Sequence, residues 1–220
     1  MRLRGGKVNL AGQLTKAGLL LVTLFGSNAM AQVTIVGETQ VPGDPAKGEV
    51  IVGKVCVGCH GADGNSVVPM FPKLAGQAPE YILKQLTDFK NKRRVNDTMA
   101  PIVAVLSSED MASLALYFSA KQPVPGTVKD TTLIEAGKKI YTDGNPGAGV
   151  PACAGCHGAT GKGTDRFPRL AGQHIDYVVT QLGLFARGER KNDKRAMQAI
   201  ADRLSDEEVK AVAEYIASMQ

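Results

Sequence analysis

Two pentapeptides hold most of the reactive side chains of this 220-residue chain: CVGCH at 56–60 and CAGCH at 153–157. Between them they contain all four cysteines (Cys56, Cys59, Cys153, Cys156) and two of the three histidines (His60, His157). Four chemistries use such residues. Disulfides suit an exported chain, but they leave the adjoining histidine unexplained, twice. A structural zinc ion takes four ligands, whereas each motif supplies three neighbours with no second pair nearby. A thioredoxin-like redox pair belongs beside a βαβ pattern, which is missing here. Covalent haem attachment uses all of the reactive positions: the two thiols become thioethers to the haem vinyl groups, and the next residue, histidine, ligates the iron from below.

The motifs recur because the chain is written twice. FPKLAGQ (71–77) returns as FPRLAGQ (167–173), YILKQL (81–86) as YVVTQL (177–182), and LSSEDMASLALYFSA (106–120) as LSDEEVKAVAEYIAS (204–218). Together with the cysteine motifs these segments are offset by 96 to 98 residues. A period this long means two domains, and two motifs in register predict two covalent haem c groups. The boundary falls in KQPVPGTVKD (121–130), which has two prolines, a glycine and no apolar periodicity.

The other face of each iron needs a ligand. Four histidines would be needed for two bis-histidine centres, and the chain has three. Past residue 31 it offers Met70, Met99, Met111, Met197 and Met219. The repeat pairs Met99 with Met197, whereas Met70 aligns with Arg166, Met111 with Val209 and Met219 with Lys121. Met99 lies 39 residues after His60 and Met197 lies 40 after His157, each in a loop between expected helices. Met111, on an apolar helical face, reads as core. His174 replaces Ala78 of the first repeat and reads as a surface or packing residue. A thioether is a soft ligand that raises the potential. With both positions filled by protein, oxygen, peroxide and substrate have nowhere to bind.

The elements that must position these groups read as all-α, two tandem domains related by internal duplication, with little to suggest strands. Asp44-Pro45 is a cap and first helical position leading toward Cys56. Residues 79–92 place Ile82, Leu83, Leu86 and Phe89 on one helical face. Ser107 with Asp110, and Ser205 with Glu208, form capping boxes ahead of the last helix of each half. GADGNS and GATGKG read as loops after the motifs. The second half is eight residues longer around 141–151, which predicts a loop before Cys153.

Residues 1–31 read as a cleaved signal peptide: Arg2, Arg4, Lys7 and Lys16, then a nine-residue apolar run from Ala17 to Phe25, then Ala29-Met30-Ala31. That run is too short for a membrane span, which takes about 20 residues. The leader holds four of the 26 bases and no acid. The remainder therefore has 22 bases against 21 acids, so the net charge of +5 falls to +1 and gives no argument for nucleic-acid binding. The expected domains are 32–122 and 131–220, with 123–130 as linker.

With its duplicated CxxCH, paired FPxLAGQ segments, NDTMAPIV and capped last helices, the sequence resembles the class I c-type cytochromes, specifically the diheme cytochrome c4 family, over essentially all of residues 32–220. The resemblance implies two tandem cytochrome c-like domains and periplasmic single-electron transfer, with loose association with the inner membrane. It implies a membrane electron donor such as a quinol–cytochrome c oxidoreductase and a terminal oxidase as acceptor, with no enzymatic activity. It implies His60 and Met99 on the first iron, and His157 and Met197 on the second. It further implies that the carbonyls of Pro72 and Pro168 accept the ring N–H of the proximal histidines. A cytochrome subunit of a dehydrogenase complex and a diheme peroxidase are the competing readings. The basic clusters KNKRR (90–94) and RGERKNDKR (187–195) read as solvated helix ends, with contact to haem propionates or an acidic partner as the alternative.

Overall fold

A computed structural model describes residues 31–34 and 40–220. All of the expected leader except Ala31 lies outside the described residues. The first half opens with a short antiparallel pair, β1 (Ala31–Thr34) and β2 (Gln40–Gly43), with Val33 opposite Val41. The sequence reading missed this pair because four-residue strands alternate too briefly to register against helical periodicity. Its anchor is tertiary: Val33 is almost fully buried in the first core.

Asp44 accepts the Ala46 N–H at 2.9 Å and Pro45 takes the first position of α1 (Pro45–Ile51). One π-helical turn, Val52–Cys56, continues from it, the Val57 N–H reaching back to the Val52 carbonyl. It delivers the chain into α2 (Val57–His60). Then come α3 (Pro79–Lys90), α4 (Met99–Ala104) and α5 (Ser108–Ser119). The second half repeats the order with α6 (Ile134–Asp143), α7 (Ala154–His157), α8 (Ile175–Ala186), α9 (Gln198–Ala201) and α10 (Asp206–Ser218). Its extra residues form a loop between α6 and α7, closed by an Asn145–Val150 bridge around the 3-10 turn Pro146–Ala148. Both capping boxes form, on Ser107/Asp110 and Ser205/Glu208.

In each half the first helix crosses the last at a glycine. A Cβ on Gly48 would sit 2.4 Å from the Ser113 carbonyl oxygen, and one on Gly137 would sit 2.0 Å from that of Ala211, so only glycine lets these backbones meet. Behind each crossing lies a separate core. One gathers Leu83, Val103, Leu114 and Phe118, the other Tyr141, Val178, Val212 and Ile216. Apart from the short sheet the described chain is all-α, one fold used twice. The joining segment has no regular secondary structure and is tied to both halves: Asn65 bonds Gln122 and Val124, the Lys73 ammonium donates to the carbonyls of Val124 and Pro125 at 2.8 and 2.7 Å, and the Gly126 N–H donates to the Ala217 carbonyl at 3.1 Å.

Candidate haem sites

Each CxxCH motif occupies a one-turn helix whose end is set by glycine. Gly61 (φ 77°) and Gly158 (φ 80°) take the left-handed region directly after His60 and His157. The chain turns away there and returns through the FPKL and FPRL segments. His60 Nδ1 lies 2.9 Å from the Pro72 carbonyl oxygen, and His157 Nδ1 lies 3.0 Å from that of Pro168. A carbonyl only accepts, so Nδ1 carries the proton in both rings and Nε2 is the free lone pair. Both rings are buried. Burial lowers their pKa more than the proline bond raises it, which favours neutral imidazole. Phe71 and Phe167 stand beside them, ring centroids 6.3 and 6.0 Å away.

All four cysteines are free. Burial pushes the Cys56 and Cys153 thiols up to about 11, the opposite of a thiolate-forming redox pair. Among the described residues no three His, Cys, Asp or Glu side chains gather into a metal-ion cage, so the zinc alternative finds no fourth ligand.

The methionines separate by environment. Met70 stands in solvent, while Met111 and Met219 are buried in the two cores. Met99 and Met197 are half-buried, each at the start of a short helix. A side chain just upstream holds each backbone: Asn96 accepts the Met99 N–H at 2.9 Å, and Asp193 accepts the Met197 N–H at 2.7 Å. The donor set fits a covalently held haem on each side: protonated thiols, a neutral imidazole with Nε2 unengaged, and a soft thioether. Beside the second set the Arg169 Nε–H is buried with no partner among the described residues, a donor left for an anionic group.

The two halves meet through polar groups that the sequence reading did not find. Arg94 donates to Gln85 in its own half and, across the interface, to Tyr177 and Gln181 at 3.1 and 2.9 Å. Arg190 mirrors it, donating to Gln181 and, across the interface, to Tyr81 and Gln85 at 2.9 and 3.3 Å. Each guanidinium also stacks on a phenylalanine of its own half, Phe89 or Phe185. Arg190 is buried, so the basic clusters are not simply solvated helix ends: one arginine of each is an interface residue. His174 likewise does more than fill surface, its Nε2 meeting the Ser66 carbonyl of the other half at 2.8 Å. Gln77 and Gln173 also cross, each to the backbone of the residue after the other half's proline. One signal was available: Gln77/Gln173, Tyr81/Tyr177, Gln85/Gln181 and Arg94/Arg190 are polar or aromatic residues that the two repeats keep identical at one offset.

Known proteins resemble this chain over most of its length. A profile of the cytochrome c family matches residues 45–120 and 134–220. A cytochrome c4 of Thiocapsa roseopersicina is 46% identical over 178 residues, covering 79% of this chain and 92% of that protein. The crystal structure of reduced recombinant cytochrome c4 from Pseudomonas stutzeri superposes with a TM-score of 0.77 at 39% identity, covering 81% of this chain and all of the other. A thiosulfate dehydrogenase electron acceptor of Stutzerimonas stutzeri is 39% identical over 170 residues, 74% of this chain and 78% of that protein. With its two CxxCH pairs the chain carries two covalent haem c groups. It belongs to the cytochrome c family and, within it, is a diheme electron carrier of the cytochrome c4 group, not an enzyme.

Proposed function

We propose that the protein is a periplasmic carrier of single electrons, with His60 and Met99 at the first iron and His157 and Met197 at the second. It takes electrons from a membrane donor such as a quinol–cytochrome c oxidoreductase and delivers them to a terminal oxidase, in peripheral contact with the inner membrane. Residues 1–31 are the export leader, 32–122 and 131–220 the two domains, and 123–130 the linker. No described helix is long and apolar enough to cross a membrane.

The observation that carries this reading is the recurrence of one set of groups. Twice, a buried histidine has its Nδ1–H engaged by a proline carbonyl, and a half-buried methionine stands at the head of a short helix. Each haem supplies one Fe(III)/Fe(II) couple. The remaining work belongs to the chain. The cysteine pairs fix position through thioethers, and the proline carbonyl orients the imidazole and raises its basicity. The thioethers of Met99 and Met197 would complete the donor set and favour Fe(II), and ligands held by the protein in both oxidation states would leave little to rearrange.

A second reading, in which a dehydrogenase is the donor, is favoured by the relative that is a thiosulfate dehydrogenase electron acceptor. Mixing each candidate donor with the oxidised protein and timing haem reduction separates the two. Ligation is tested by optical spectra of the purified protein, oxidised and then reduced under carbon monoxide. Two methionine–iron bands' worth of intensity and no carbonyl adduct is the expected result. An adduct with half that band means one open iron, as a peroxidase requires, and withdraws Met99 or Met197 as ligand.

A further inference from the structure

The Pro72 carbonyl and the Lys73 N–H belong to one planar peptide unit, and the same holds for Pro168 and Arg169. The oxygen of the first unit receives the His60 Nδ1–H at 2.9 Å, while its N–H donates to Gln173 Oε1, in the other domain, at 2.9 Å. In the second unit the oxygen receives the His157 Nδ1–H at 3.0 Å, and the N–H donates to Gln77 Oε1, again across the interface, at 2.7 Å. Each glutamine amide also donates back, Gln173 to the Lys73 carbonyl at 3.0 Å and Gln77 to the Arg169 carbonyl at 2.9 Å. Both side chains are buried, at 8% and 6% exposure, so these bonds do not compete with water. Their geometry is bidentate, and the bonded residues lie 100 positions apart along the chain in one case and 92 in the other.

We propose that Gln173 and Gln77 are crossed positioning residues, each setting the proximal histidine of the opposite domain through a single peptide plane. The proposal rests on the reading of His60 and His157 as axial ligands. A hydrogen bond accepted from a peptide N–H polarises that peptide and makes its carbonyl a better acceptor. The better acceptor draws the histidine Nδ1 proton and makes Nε2 more basic. A more basic ligand favours Fe(III), so each glutamine holds down the potential of the haem it does not share a domain with. The interface therefore tunes both centres, and neither domain sets its own potential alone.

The test uses the full-length holoprotein with Gln173→Met and Gln77→Met, which keep side-chain bulk and remove both bonds. Each haem is titrated separately, its oxidation state followed by its own resolved haem-methyl NMR signals. Gln173→Met is expected to raise the potential of the haem at Cys56/Cys59 by about threefold in the Fe(II)/Fe(III) equilibrium, about 28 mV at 59 mV per tenfold for one electron, and to move the other haem less. Gln77→Met is expected to show the reverse pattern. A shift of the haem in the variant's own domain, equal shifts of both, or no shift overturns the proposal.

If either Met variant does not fold, Gln173→Glu keeps an oxygen on the Lys73 N–H and must lower the first haem more than the second. An equal or opposite response overturns the proposal as well. The ligation reading fails separately and earlier: in the unsubstituted protein, histidine ring signals missing from the hyperfine-shifted region of either haem would sink it before any glutamine is changed.

Discussion

In the first domain Val50, Met70, Val95 and Val105 stand in solvent, between 56 and 81% exposed. At the matching positions the second domain carries Lys139, Arg166, Lys191 and Arg203, all exposed. Inside, the same comparison shows near-identity: Phe89 and Phe185, Leu114 and Val212, and Ala115 and Ala213 are buried pairwise. Packing restrains residues that touch many neighbours, whereas exposed positions can change at little cost. The interface breaks the pattern at His174, whose counterpart is Ala78, and again at Asp88. Asp88 is a buried carboxylate bonded by Lys84, by Arg93 at 2.7 Å and, across the interface, by Asn192 at 2.7 Å, while its counterpart is Leu184. Burial pushes the Asp88 carboxyl up, but these three donors outweigh it and hold the carboxyl below the usual range.

That asymmetry gives the largest expected effect. Asp88→Ala should cost about 3 kcal/mol in denaturant unfolding, the lower end for breaking a buried pair, because Lys84 and Arg93 keep some solvent. A loss below about 1 kcal/mol would mean that the interface is as symmetric as the helices. The glycine crossings come next. Gly137→Ala and Gly48→Ala should each destabilise by about 1–3 kcal/mol, with Gly137 the worse because its Cβ would meet backbone at 2.0 Å against 2.4 Å. Equal losses would show that the closer approach relaxes freely.

Smaller effects sharpen the comparison at the last helices. Ser107→Ala and Ser205→Ala should each cost about 1 kcal/mol, measured by thermal unfolding. Both caps should weaken in acid, since Asp110 and Glu208 are each held below the usual carboxylate range, and the first should weaken more. Lys47, then the Ser107 N–H and hydroxyl, hold the Asp110 carboxyl down to about 2. A depressed carboxyl contributes stability above its unfolded value, and that contribution is lost as pH falls from about 4 toward 2. Asp110→Asn should flatten the stability profile in that window; an unchanged slope would assign the acid loss elsewhere. Smallest of all, Val95→Lys and Val105→Arg, which copy the second domain, should alter stability by no more than about 0.5 kcal/mol.

The helices and the candidate ligands were legible because their signals are local. Helical periodicity, the caps at Asp44, Ser107 and Ser205, and the CxxCH spacing involve residues within a turn or two of one another. The repeat did the rest, pairing Met99 with Met197, and Met111, read as core, is buried; that Met219 is buried as well had no sequence signal. The β1–β2 pair was not legible, because Val33 owes its place to a core assembled from distant helices. The arginines of the basic clusters were misjudged for a related reason: charge density near a helix end looks the same whether the side chain reaches water or Tyr177.

By itself, then, the sequence determined the covalent chemistry, the duplication and the all-α class, since thiols, imidazoles and apolar periodicity act over short stretches of chain. Only the tertiary structure decided which residues of one domain touch the other. The Gln173 amide has no preference for Lys73 until docking brings together groups 100 positions apart and excludes water from both. Hydrogen bonds of that kind gain their direction and strength from burial, and burial exists only once the two domains have met.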